Sequence, residues 1–236
     1  MNRKYIYLTA VLLMPCLGGC ASLSGEAVAA QVVDADTGQP LAGVNVVAHW
    51  ELHRGSLGGD ALPCGAANVE EAVTDQNGRF RIPGWGPVRS SCDLLEMDPV
   101  LIFFKSGYSF QGLTNGVLGG DPPTVSRSDW DGKIIKLKKY PNLEYSSQTG
   151  YSGHVFDPLN TNLEFVVVFP TECNWRKIPN MLRALLAEER KFHEAGNPLG
   201  SIASNLIWAD QLMQKQAPKC GSPKAFVESL EAGADQ

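Results

Sequence analysis

Between residues 29 and 140 apolar positions fall in short runs that alternate with polar ones and are interrupted by turn formers. "AAQVVDADTGQPLAGVNVVAHWEL" predicts a strand, a turn over Asp34, Asp36, Thr37, Gly38 and Pro40, and a second strand through Val44, Val46 and Val47. "VEEAVTDQNGRFRIPG" predicts a hairpin: Asn77 and Gly78 tolerate positive φ, and Phe80 and Ile82 alternate with Arg79 and Arg81, so one face is buried and the other wet. The apolar run Val100 to Phe104 is too short for an independent helix and rich in β formers, which predicts a central strand. In "DGKIIKLKKY" Ile134, Ile135 and Leu137 suit a last strand at a sheet edge, where Lys136, Lys138 and Lys139 discourage edge-to-edge pairing. About six short strands in this space predict a sandwich.

The pattern changes after Tyr140. Residues 141–162 are rich in Asn, Ser, Thr, Gly and Pro and predict a loop, and "LEFVVVFP" (163–170) predicts another short strand, ended by Pro170. "IPNMLRALLAEERKFHEAG" places apolar residues at 181, 182, 185, 186 and 192, the spacing of an amphipathic helix that stops near Gly196. "SIASNLIWADQLMQKQAP" repeats that pattern with Ile202, Leu206, Ala209 and Met213. "SPKAFVESLEAG" offers Ser222 as N-cap, Pro223 in the first turn and Gly233 beyond the end. Helices with one apolar stripe each must pack on one another, on the sandwich or on a partner. The chain therefore reads as mainly β, an antiparallel sandwich over 29–140, followed by a smaller, mainly helical region within 141–236.

The N-terminus carries Arg3 and Lys4, an apolar run from Tyr5 to Met14, and small residues up to Cys20, the order of a secretory signal peptide. That run is about half of the ~20 residues that span a bilayer, so a permanent membrane helix is not expected. Leu17, Gly18, Gly19 and Cys20 resemble the bacterial lipobox, in which the cysteine thiol is acylated and becomes residue one. The resemblance implies a leader over 1–19 that discards Cys16, a lipid anchor at Cys20 and, with Ala21 following, the periplasmic face of the outer membrane. Two or more acyl chains hold a protein stably where one does not. Residues 20–28 read as a short tether that keeps the folded part close to the membrane.

Loss of Arg3 and Lys4 with the leader would lower the formal charge of -5 by two, giving a mildly acidic protein. No basic cluster exceeds "KIIKLKKY", so no nucleic-acid surface is expected. The 44% apolar composition suffices for a sizeable core. Cys64, Cys92, Cys173 and Cys220 remain, an even number that favours disulfides in an oxidising compartment. Of the three possible pairings, Cys64 with Cys92 and Cys173 with Cys220 keep each bond inside one segment. Zinc is the competing reading, without a C-x-x-C spacing to support it.

"VVDADTGQPLAGVNVVA", "AVTDQNGRFRIPG" and "IFFKSGY" occur in this order over about residues 28–140. Together they resemble the carboxypeptidase regulatory-like domain, a transthyretin-like β-sandwich. Its signals run V-x-D-x-x-T-G-x-P-L-x-G-V-x-V, T-D-x-x-G-x-F and a strand ending in G-Y. The departure is the long insert around Cys64 and the stretch "GWGPVRSSCDLLEMD". The resemblance implies an accessory sandwich and not a peptidase.

Candidate chemistry is sparse. His49 and His53 sit four apart on a strand, about 13 Å, too far to share one ion unless the chain turns. "DQNG" starts like a calcium loop, but the position of the bidentate glutamate is Gly86. "GVNVVAHWELH" is similar to the iron-binding neighbourhood of intradiol dioxygenases, yet the paired tyrosines and histidines are missing, leaving only His154 and His193. No G-x-S-x-G or H-E-x-x-H occurs. Among five tryptophans Trp85, in "GWGP", is the least core-like and the best candidate for stacking on a sugar. The expectation is a non-catalytic interaction or structural module without metal or cofactor, lipid-anchored through Cys20, with an envelope partner on the C-terminal helices. The alternatives are a glycan or peptidoglycan binder using Trp85 and an unrecognised hydrolase.

Overall fold

The computed structural model describes residues 21–56, 60–117, 119–141 and 156–232. The leader with Cys16 and Cys20, His154, Gly233 and residues 142–155 of the loop expected over 141–162 lie outside them. Three layers stack, two of sheet and one of helix. The first layer is built from three chain segments that each form two strands: β1 (Ala21–Gly25) and β2 (Val28–Asp34) in the middle, β5 (Arg79–Ile82) and β6 (Trp85–Ser90) on one side, β10 (Val125–Ser126) and β11 (Ile134–Leu137) on the other. The second layer orders β4 (Ala61–Val73), β3 (Asn45–Gly55), β8 (Val100–Phe104) and β9 (Gln111–Leu113), with β7 (Asp93–Leu94) also on β3. All ladders are antiparallel except β1 with β10 and β2 with β11, which are parallel.

The period of two explains the second layer. Val46, Ala48 and Trp50 of β3 and Leu101 and Phe103 of β8 point into the sandwich, against Leu23, Val32, Phe80, Ile82, Ile135 and Leu137. Their neighbours Val47, Ile102 and Phe104 point the other way and are also buried, because the helices cover that face. Val100 to Phe104 is thus a run without polar interruption because its strand is buried on both sides. Each such large side chain contributes about 1.5–3 kcal/mol relative to exposure.

The helical layer comprises α1 (Asp157–Asn162), α2 (Phe165–Val168), α3 (Pro179–Glu194), α4 (Ile202–Trp208), α5 (Asp210–Gln216) and α6 (Pro223–Ala232). On α3 Met181, Leu182, Leu185, Leu186 and Phe192 are buried, the face its spacing predicts. Ser222 Oγ accepts the Ala225 amide at 3.0 Å, capping α6. Cys173 is bonded to Cys220 across this layer, and Cys64 to Cys92 in the sandwich. No helix among the described residues is long and apolar enough to cross a membrane.

Five sequence expectations are corrected. Residues 157–162, expected as loop, form α1, which buries Leu159 in the core of the helical layer. Residues 21–25 are not tether: β1 pairs with β6 and β10, and Leu23, 1% exposed, enters the sandwich core. One leucine among small residues supplies the burial, and Gly25 lets the Trp85 indole lie against the backbone where a Cβ would overlap it. The "TDQNG" turn forms, with Asp75 Oδ1 accepting the Asn77 and Arg79 amides at 2.8 Å, but it is no hairpin. It is a corner at which the chain leaves β4 in one layer and enters β5 in the other; Thr74 pins it by donating to Leu41 O at 2.6 Å and accepting from Val44 N at 2.8 Å. Residues 165–168 are helix, not strand, because one helical turn buries Phe165 and Val166 against the sheet and points Val168 outward. The 201–218 segment is two helices, α4 and α5, joined at Ala209.

Candidate functional site

The outward face of β3 continues past Val47 through His49, Glu51 and His53. α1 and α2 arch over that stretch. A cavity of about 390 Å³ opens between them, with His49, Glu51, Pro63 and Val100 on the sheet side and Thr161, Asn162, Glu164, Phe165, Val168 and Phe169 on the helix side.

His49 forms part of the cavity wall. It is 5% exposed, and its ring stacks on Phe165 with centroids 3.9 Å apart and planes 18° apart. Burial, with a smaller contribution from the charge of His53, pushes its pKa down to about 3, so the imidazole is neutral at any physiological pH. Its Nε2 is buried and has no hydrogen-bond partner. Such an atom costs roughly 1–3 kcal/mol unless something binds it. His53 Nε2 lies 3.2 Å from Glu51 Oε2, and the Glu51 side chain is 30% exposed. The charged side chains on the cavity wall itself are carboxylates, Glu51 and Glu164.

A second depression, about 320 Å³, lies among the loops after β7 and β9. Its buried member, Asp98, accepts the Leu95 amide at 2.9 Å and the Glu51 amide at 3.3 Å. Burial raises its pKa to about 7 against the lowering effect of those amides. Asn115 ties the same loops together by donating to Asp98 O at 2.7 Å and Arg127 O at 2.6 Å. Among the described residues no three His, Cys, Asp or Glu side chains gather in a metal-binding arrangement.

Trp85 is not displayed as an open platform. It is half-buried, packs edge-on against Trp50 with centroids 5.5 Å apart, and buries its Nε1 without a partner. The exposed tryptophan is Trp208, at 88%, with Leu212 at 59% one turn further on and Val168 at 53% on α2. His193 sits on the exposed side of α3, away from His49 and His53 in the sequence of layers. The cavity was not foreseen from the sequence. The signal for it is the alternation itself: His49 shares a face with Val47, so any layer that buries the valine must also bury the histidine.

No protein-family model matches the chain, and no curated protein matches it. Among solved structures the group B streptococcus pilus 2b backbone protein is 15% identical over 49% of this chain and 41% of that one, with a TM-score of 0.28. A streptococcal ancillary pilin is 20% identical over 50% of this chain and 30% of its own, with a TM-score of 0.23. The chlorocatechol 1,2-dioxygenase of Pseudomonas putida is 14% identical over 56% of this chain and 69% of its own, TM-score 0.28. This chain spans less than half the length of the two pilus proteins. Likenesses this low do not bear on activity; the sandwich is read from the chain's own ladders.

Proposed function

We propose that this protein is a non-catalytic interaction module of the bacterial envelope, held by lipid on Cys20 at the periplasmic face of the outer membrane. The observation that carries the interaction reading is the exposed Trp208 with Leu212 on the helical layer. Trp208 leaves 88% of its surface in solvent, and aromatic anchors of this kind concentrate the energy of protein interfaces. The helices beneath it are fixed on the sandwich by their shared core and tied to one another by Cys173–Cys220, so the side chain is presented on a rigid base.

Two features support the anchor and the sandwich identity. The lipobox-like L-G-G-C ends immediately before β1, so an acyl group on Cys20 would hold the Ser90 end of the sandwich against the headgroups with no spacer. The corner at Thr74–Gly78 and the β2–β3 turn over Asp34 and Gly38 carry the residues that resemble the carboxypeptidase regulatory-like pattern. Asp34 Oδ1 accepts the Thr37 amide at 2.8 Å, which gives that pattern a structural reason.

A photocrosslinking residue at position 212, in intact cells, tests the surface. A discrete protein adduct that disappears with Trp208→Ser is expected; an unchanged adduct, or none, removes the reading. Metabolic labelling with an alkynyl fatty acid tests the anchor separately: label is expected in the wild-type chain and absent from Cys20→Ser, which should leave the membrane fraction.

A further inference from the structure

Cys20 is followed at once by β1, so whatever holds that residue holds one definite end of the sandwich. Ala21 pairs with Ser90 of β6, Ser90 Oγ accepts the Cys92 amide at 2.9 Å, and Cys92 is bonded to Cys64 in β4. The β3–β4 ribbon leaves the body at that same end. β8 accompanies β3 only from Asn45 to His49 and β7 only at Leu52 and His53. Past His53, among the described residues, the ladder is β3 with β4 alone: Arg54 stands opposite Leu62 and Gly55 opposite Ala61, and the Ser56 amide donates to Asp60 O at 2.9 Å. A two-stranded ribbon without further cover is marginal in water. This one nevertheless leaves Leu62 45% exposed, and Val88 of β6, two residues from Ser90, is 39% exposed. Directly opposite one another, Arg54 and Leu62 share a face of the ribbon. It is the face opposite to Pro63, which lines the cavity under the helices, and so is turned toward the layer that begins at Ala21.

We propose that this end is a membrane foot, in which Arg54, Leu62 and Val88 rest in the headgroup region of the phospholipid leaflet that holds Cys20; the inference rests on the acylation of that residue. A lipid surface is the occupant because of where the chain before β1 ends. Consecutive Cα atoms are about 3.8 Å apart, so an acylated Cys20 leaves Ala21 one residue from lipid, with no length of chain to lift the sandwich clear. Leu62 lies two residues beyond Cys64, about 7 Å further along the ribbon at ~3.3 Å per residue. Leu62 and Val88 exchange water for the acyl boundary. Arg54 lays its stem along that apolar surface and carries its guanidinium to phosphate oxygens. Anchor and ribbon together fix the tilt of the body. The Asp34–Gly38 turn and the Thr74–Gly78 corner, at the far ends of β2 and β4, then point away from the membrane. The Trp208 surface takes no part in this contact.

The test places the same benzophenone amino acid at position 62 or at position 76 of the full chain, in intact cells fed an alkynyl fatty acid. Gln76 is exposed at the opposite end of β4, roughly 30 Å or more away at the strand rise, so it controls for the apolarity of the probe. Both positions are exposed, and both variants should melt at the wild-type temperature. After irradiation the N-terminal peptide and the peptide carrying the probe are read separately by mass spectrometry. Acyl label on the N-terminal peptide is expected, with phospholipid adducts at 62 at least about tenfold above those at 76. Acyl label without phospholipid adducts at 62, with equal adducts at both positions, or with a protein adduct at 62 in place of lipid, overturns the foot and leaves the anchor standing. An N-terminal peptide without label overturns the anchor and the foot together.

Discussion

Glu71 of β4 accepts the backbone amide of Asn180 at 2.9 Å, across 109 residues of sequence. Its carboxylate also takes the Asn180 Nδ2 at 2.9 Å and the Met181 amide, so the sheet supplies the N-terminal cap that α3 does not carry itself: the residue before α3 is Ile178, which has no side chain to offer. A second carboxylate repeats the arrangement in reverse, with Glu172 of the helical layer accepting the Ala66 amide of β4 at 3.1 Å through both oxygens. The interface between sheet and helices is therefore apolar in its middle and pinned by two carboxylates from opposite sides.

Glu71→Ala should cost about 1–2 kcal/mol in chemical denaturation, the value of a helix cap. Glu71→Gln keeps an acceptor and should recover at least half of that. Hydrogen exchange should quicken first at residues 180 and 181, whose amides the carboxylate holds. Equal stability of all three proteins would mean that water replaces the carboxylate without loss.

Asp98 predicts a slope of stability with pH. Burial holds its carboxyl at about 7 in the folded chain, against 3.8 for an ordinary aspartate. The folded state thus binds the proton more tightly than the unfolded state, and in the window from about 4 to about 7 only the folded form keeps it. The contribution of Asp98 to stability is full below that window and is lost as pH rises through it, by about 2–4 kcal/mol. Urea midpoints measured from pH 4 to 8 should fall with this sign in the wild type and be flatter in Asp98→Asn. The slopes are the readout, since the asparagine also forfeits one of the two amide hydrogen bonds.

Trp85 tests structure against recognition. Its ring sits on Gly25 and Trp50 within the sandwich, so Trp85→Ala should destabilise by about 2–3 kcal/mol and Gly25→Ala, which drives a methyl into the indole, by about 1–3 kcal/mol. Trp85→Phe should lie between wild type and alanine. Binding to isolated cell wall should be the same in wild type and Trp85→Phe; a loss there at unchanged stability would restore the sugar-platform reading.

What the sequence revealed follows from what local pattern can encode. Phe80 and Ile82, Ile135 and Leu137, and the strand at Val100 were legible because each side chain's direction follows from the strand period alone. β1 was not, since its only large side chain is Leu23 and its pairing is decided by strands 60 and 100 residues away. α2 was misjudged because three valines favour a strand locally, while the sheet below rewards the helical turn that buries Phe165 and Val166. The cap from Glu71 and the stack of His49 on Phe165 join residues more than a hundred positions apart, and no local signal encodes them. Trp208 sits in a helical pattern that suits a core residue, and its exposure is visible only once the stripe's direction is known.

Cys173–Cys220 closes a loop of 47 residues that contains α3, α4 and α5, and in the chain-entropy model such a loop stabilises by about 4 kcal/mol. The double variant Cys173→Ser, Cys220→Ser should lose that amount unevenly. The helices share one core with the outer faces of β3 and β8, whereas β5 and β11 bury their side chains only in the sandwich. Hydrogen exchange should therefore rise in α5 and α6 first, then at Val47 and Ile102, and least at Phe80 and Ile135. Uniform acceleration across all these positions would mean that sandwich and helices unfold as one cooperative unit, with the sheet's outer face unable to stand uncovered.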